Sequence, residues 1–263
     1  MWSRKELKTQ AKSSIHSNYW KSILISILIV VFSGSVVVQF TSSMSGFETG
    51  SEYDTNSDNA ESLDQIMSEP ALEMGMVAAG ILIVFVFLFV LIIIIGISMA
   101  VRILVVNPLL VGVTRFFVQN HGKKAQVSEV GYAFDHRYKT IIETMFYRDL
   151  FQFLWTLLLI VPGIVKAYEY RMINYILSDQ PQLGRKEAFR MSKEMMHGQK
   201  WRAFVLDLSF LGWDLLSFFT FGLLSIFYVN PYRNQTNAEL YLALKRSTDQ
   251  EAHFMSEMNK QVM

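Results

Sequence analysis

The chain has 263 residues, a formal net charge of +1 and a pI near 7.9, a balance that gives no sign of a nucleic-acid partner. It contains no cysteine, which excludes disulfides and thiolate catalysis. Apolar residues make up 51% of it, and their clustering decides the class.

The first 21 residues are polar. Ser3 and Glu6 match a capping box, which predicts a helix start. Leu7, Ala11 and Ile15 then repeat on one face, and Arg4, Lys5, Lys8 and Lys12 cover the rest. That is the pattern of a basic amphipathic helix on the lipids of an anionic inner leaflet; a cationic leader that only orients the first span is the alternative. Tyr19, Trp20 and Lys21 stand where an aromatic belt and a snorkelling lysine belong. Ser22 to Phe40 is apolar, has no small-residue cleavage site after it, and reads as a retained span.

Between Ser22 and Val101 there is no Lys or Arg. The polar stretch inside, residues 41–70, carries Glu48, Glu52, Asp54, Asp58, Glu61, Asp64 and Glu69. With basic residues flanking the unit, the positive-inside rule puts the N-terminus in the cytoplasm and this acidic loop outside. Asp54, Asn56 and Asp58 resemble the start of a calcium loop, but Asn59 and Gln65 stand where Gly and Glu are required, so no EF-hand is expected. From Met74 to Val101 run 28 residues without a charge. A hydrocarbon core needs roughly 20, and lipid forces such a segment to be helical despite its β-branched residues.

Ile103 to Phe117 is apolar again, but Asn107-Pro108 breaks it, and a new helix is predicted from Pro108. With Arg115 inside, this piece is short for a span and reads as interfacial or packed on other helices. Residues 120–148 are polar and basic and are expected in the cytoplasm.

Two long apolar regions follow, 150–177 and 203–229. The first is interrupted by Pro162-Gly163; the second contains Gly222. Residues 178–202 between them carry Arg185, Lys186, Arg190, Lys193, Lys200 and Arg202. If each region crosses once, this basic segment lies outside, against the charge rule. If each is a helical hairpin or re-entrant pair, every basic segment lies inside, but the halves are short for spans. Counting Ile103 to Gln119 as a span shifts the topology again. The charge rule favours cytoplasmic placement with broken helices, and four to six crossings remain open. Ala188 to Met196 reads as an amphipathic helix that docks on the inner leaflet, binds a partner protein or simply packs under the bundle. Thr236 and Glu239 form another capping box, predicting a helix through Tyr241 and Lys245; the polar tail, 249–263, is expected to fray.

Several motifs together resemble the bacterial membrane proteins grouped as domain of unknown function 975. They are Arg4, Leu7, Lys8, Ala11 and Lys12 with Asn18-Tyr19-Trp20, then Pro108-Leu109, Gly112 and Arg115-Phe116-Phe117. Pro162-Gly163-Ile164 follows with Lys166, Tyr168 and Tyr175. Next come Ala188, Ser192 and Gly198 leading to Lys200-Trp201-Arg202, then Leu208-Ser209-Phe210 with Gly212-Trp213. Pro231-Tyr232, Thr236, Ala238 and Tyr241 complete the set. The resemblance implies an integral protein of the bacterial cell envelope with no agreed activity. The chain is also distantly similar to membrane domains found beside glycerophosphodiester phosphodiesterases, which implies lipid-related work.

The five histidines are scattered, so no metal site is expected, and no phosphate loop or nucleophile elbow points to a cofactor or an enzyme. Charges inside the apolar regions remain. An ionisable group in lipid costs several kcal/mol unless it has a partner or faces water. Asp207 and Asp214 are seven apart, on one face of a continuous helix, and Lys166 and Glu169 are spaced to pair. Lys166, Glu169, Arg171, Asp207 and Asp214 therefore read either as a polar cavity for an ion, a proton or a lipid head group, or as structural pairing near helix ends.

The expected architecture is an all-α polytopic transmembrane bundle with kinked or broken helices and amphipathic interfacial helices. Residues 1–248 would form one membrane domain of the plasma membrane with both termini cytoplasmic. The leading class is a non-enzymatic scaffold or regulatory component acting on anionic lipid or a protein partner. The alternative is a transporter or lipid-handling protein using the buried charges.

Overall fold

A computed structural model describes residues 2–32, 70–122 and 125–262. Among them the chain is helical throughout, with no strand. The end of the first apolar run, residues 41–69 of the acidic loop with the calcium-like stretch Asp54 to Gln65, and Lys123-Lys124 lie outside the described residues. By packing, Met1–Ser35 with Ile103–Met263 form one unit and Val36–Arg102 another.

In the first unit, Ser3 caps α1 (Arg4–Ser17) as predicted, its hydroxyl accepting from the Glu6 amide at 3.2 Å. Leu7, Ala11, Ser14 and Ile15 form the buried face. After a bend of 104° at Asn18 the chain enters α2 (Tyr19–Phe32). The Asn107-Pro108 break is real: a π-helical turn, Arg102–Val106, leads into α4 (Asn107–Gln119), where Pro108 fills a first-turn position that needs no amide donor. α4 is packed on other helices, with Val111, Val113, Phe116 and Phe117 in the core.

A 3-10 turn (Val127–Gly131) and the one-turn helix α5 (Tyr132–Asp135) lead to α6 (Tyr138–Leu158). Leu159 is extended, and α7 (Ile160–Glu169) runs back along α6. The first long apolar region is thus a helical hairpin. Its backbones touch: a Cβ on Gly163 would stand 2.6 Å from the Thr156 hydroxyl and 2.7 Å from the Thr156 Cα. α8 (Ile173–Asp179), α9 (Arg185–Met196) and α10 (Lys200–Leu208) follow.

The second apolar region is also a hairpin. α11 (Leu211–Phe219) leads through a turn, where Phe221 and Gly222 take left-handed backbone, into a π-helical segment (Ser225–Val229) and α12 (Asn230–Val262). The reversal is fixed by ring contacts of Trp213 with Tyr228 and of Phe210 with Tyr232, at 5.2 and 5.3 Å.

Several expectations change. Thr236 and Glu239 do not cap a helix: both are buried inside α12, where the Thr236 hydroxyl bonds the Tyr232 carbonyl. The tail expected to fray continues as helix to Val262. On α9, Ala188, Phe189, Met195 and Met196 face the core, so its apolar stripe is used in packing.

The second unit contains α3 (Pro70–Val101). At 1.5 Å per residue its 32 residues span about 48 Å. From Ile81 to Ile95 every side chain is exposed, so no face is covered by the described residues. The stretch Val77–Gln119 contains an 18-residue window of mean hydropathy 3.5, none of it buried. Among the described residues, one helix is therefore long and apolar enough to cross a membrane, and two if the bent pair α1–α2 counts as one span.

Candidate functional site

Two patches of uncovered apolar surface mark the first unit. At the α6–α7 tip, Leu157, Leu158, Leu159, Ile160 and Val161 are 61–74% exposed. At the second tip Phe218, Phe219 and Phe221 are 79, 71 and 99% exposed. Patches of this kind mark contact with lipid or protein.

Charged groups gather behind these tips. Glu169, at the end of α7, is buried and receives three ammonium groups. Lys200 Nζ donates to Oε2 at 2.7 Å, Lys166 Nζ to Oε1 at 3.0 Å, and Lys193 Nζ lies 3.8 Å away. Burial works against its charged form, but the hydrogen bonds from Lys200 and Lys166 outweigh that and hold its carboxyl below the usual carboxylate range. Ser192 donates to the Glu169 carbonyl at 2.7 Å, tying α9 to the same point. Lys166 also lies over the rings of Trp155 and Tyr170.

Arg171, in the turn after α7, makes a bidentate pair with Asp207 at 2.6 and 2.8 Å. Tyr168 donates to the same carboxylate at 2.8 Å, and Arg171 donates to Asn237 of α12 at 2.7 Å. Asp214 binds Arg233 at 2.5 and 2.7 Å across the neck of the second hairpin. The chain stops being one helix between Leu208 and Leu211, so Asp207 and Asp214 do not share a face. Of the five predicted cluster residues, the structure joins Lys166 to Glu169 and Arg171 to Asp207. No ion pair or hydrogen bond links Asp214 to the other four.

The leader cations separate as well. Arg4 and Lys5 line an open cleft of about 650 Å³ with Trp2, Trp201 and Arg202. Lys8 instead turns inward, donating to the Ser209 carbonyl at 3.3 Å above the Phe210 ring; burial, then Arg4 and Lys12, lower its pKa. Lys12 lies over Tyr232.

A buried polar network that the sequence did not suggest links α1, α4 and α12. The Asn120 amide donates to the Ser14 carbonyl at 3.1 Å and to Gln235 Oε1 at 3.0 Å, and its oxygen accepts from Asn18 at 2.6 Å. Gln235 donates to Glu239, which also accepts from Ser14 and lies 2.7 Å from His121 Nδ1. Among the described residues no group of His, Asp or Glu is arranged to hold a metal ion.

Residues 1–248 match the family described as "Protein of unknown function (DUF975)". The chain belongs to this DUF975 family. No curated protein and no solved structure matches it. Gly112, Arg115 and Gly163, among the residues that carry the resemblance, fall at close contacts. A Cβ on Gly112 would stand 2.0 Å from the Val130 carbonyl oxygen, so only glycine lets that turn approach α4. One turn along, Arg115 stacks 3.6 Å from the Tyr132 ring and bonds Glu129 at 2.7 Å and the Ser178 carbonyl at 2.6 Å. Pro162-Gly163 shapes the first hairpin, though the helix breaks at Leu159.

Proposed function

We propose that this DUF975 protein is a multi-pass component of the bacterial plasma membrane that works without catalysis, as a scaffold or regulatory subunit. Uncovered apolar surface carries the reading: α3 on all sides and both hairpin tips. The first apolar run and α3 cross the bilayer, and the two hairpins dip into the inner leaflet. Both termini and residues 178–202 then lie in the cytoplasm, and every basic segment obeys the charge rule. Two crossings suffice, fewer than the four to six left open by the sequence. The basic surface around Arg4, Lys5 and Arg202 meets anionic lipid or a protein partner.

Lipid handling is the second reading. The three-lysine cluster on Glu169 favours it.

Reporter fusions at Gly184 and at the C-terminus test the topology, with alkaline extraction of membranes as the second measurement. Both reporters are expected to read cytoplasmic and the protein to stay with the membrane. An outside reading at Gly184 overturns the hairpins. A chain that is monodisperse in buffer without detergent overturns the whole assignment.

A further inference from the structure

We infer that Lys166, Lys193 and Lys200 form a binding site for the phosphate of an anionic phospholipid, with Glu169 as the internal anion that the phosphate competes with. The inference rests on the membrane reading above and names a ligand for it.

Three ammonium groups lie within 3.8 Å of one buried carboxylate. Three cations against one anion leave a surplus of two positive charges. Glu187 and Glu194 share the single cation Arg190, so counting these three neighbours as well still leaves a surplus of one positive charge. Like charges this close repel, and a second anion relieves that repulsion. Lys193 and Lys200 are 50 and 34% exposed, so a ligand can reach them. Lysine binds phosphate as a point charge and does not need the bidentate geometry of arginine.

The position suits a lipid. Lys166 is five residues beyond Val161, or about 7.5 Å along α7 from the apolar tip. A tip buried by about 5–10 Å puts these ammonium groups at the depth of the phosphates. Ile164 and Val165, between tip and lysine, are exposed and offer apolar surface to acyl chains. Trp201, beside Lys200, is 72% exposed, as interfacial tryptophans are.

The test is co-flotation of the purified full chain with phosphatidylcholine vesicles, with or without phosphatidylglycerol. Lys193→Gln and Lys200→Gln are each expected to weaken the preference for phosphatidylglycerol about fivefold. Lys186→Gln, an exposed lysine outside the cluster, is expected to change it far less. Glu169→Gln frees the lysines and is expected to strengthen binding more than Glu194→Gln, which removes the same charge elsewhere. Lys193 makes the longest of the three contacts, so its variant keeps the test valid if the others fail to fold, as checked by circular dichroism. Equal effects in cluster and control variants overturn the site. Competition by inorganic phosphate as strong as by lipid shows a soluble-phosphate site and overturns the lipid assignment. A wild-type chain that floats with no vesicle overturns the membrane reading, and this inference with it.

Discussion

Gly163 of α7 lies against Thr156 of α6 so closely that a methyl group on the glycine would meet both the threonine hydroxyl and its Cα. This contact closes the first apolar hairpin. Because part of the clash is with backbone, a side-chain rotation cannot relieve it. Gly163→Ala is expected to destabilise the protein by about 2 kcal/mol, read as a lower melting temperature in detergent. Gly184→Ala, at a site with open space, is the control.

The tips themselves should contribute little to folding and much to lipid contact. Leu158→Asp and Phe221→Asp change side chains that are 68 and 99% exposed. Each is expected to reduce labelling of its own tip by a photoactivatable lipid probe while leaving the melting temperature in detergent nearly unchanged. A large loss of thermal stability in both would assign the tips to an internal packing role.

Glu169 should give stability an acid limb. Its folded pKa lies below the ordinary value of about 4.3, so the unfolded chain binds this proton more strongly. The contribution is complete above the unfolded pKa and is lost as pH falls through the folded one. Melting temperature is expected to drop below about pH 4, and less steeply in Glu169→Gln.

Asn120 is the hub of the buried network, with three hydrogen bonds and no exposure. Asn120→Ala leaves Asn18 and Gln235 without this partner in the core. The expected loss is about 2–3 kcal/mol, measured by thermal or chemical unfolding.

The α1 cap, the break at Asn107-Pro108 and the uncharged run of α3 depend on neighbours in the chain, and all were legible. The Thr236-Glu239 motif looks the same in a cap and in a buried helix interior; only Ser14 and Gln235, contributed by the fold, decide which. Arg233 lies outside the apolar region that holds Asp214, and Lys193 and Lys200 outside the one that holds Glu169. Their pairing depends on chain reversals whose direction hydropathy does not encode. The apolar stripe of α9 was visible, but periodicity does not say whether lipid or protein covers it.

The Ser14–Glu239 hydrogen bond joins residues 225 positions apart. During synthesis, then, the apolar face of the first helix waits for a partner made 225 residues later. The helix α3, long and apolar enough to cross a membrane, emerges before that interior can close. Closure of this interior should therefore wait until α12 has been made, and a nascent chain stalled before α12 should be an easy substrate for quality-control proteases.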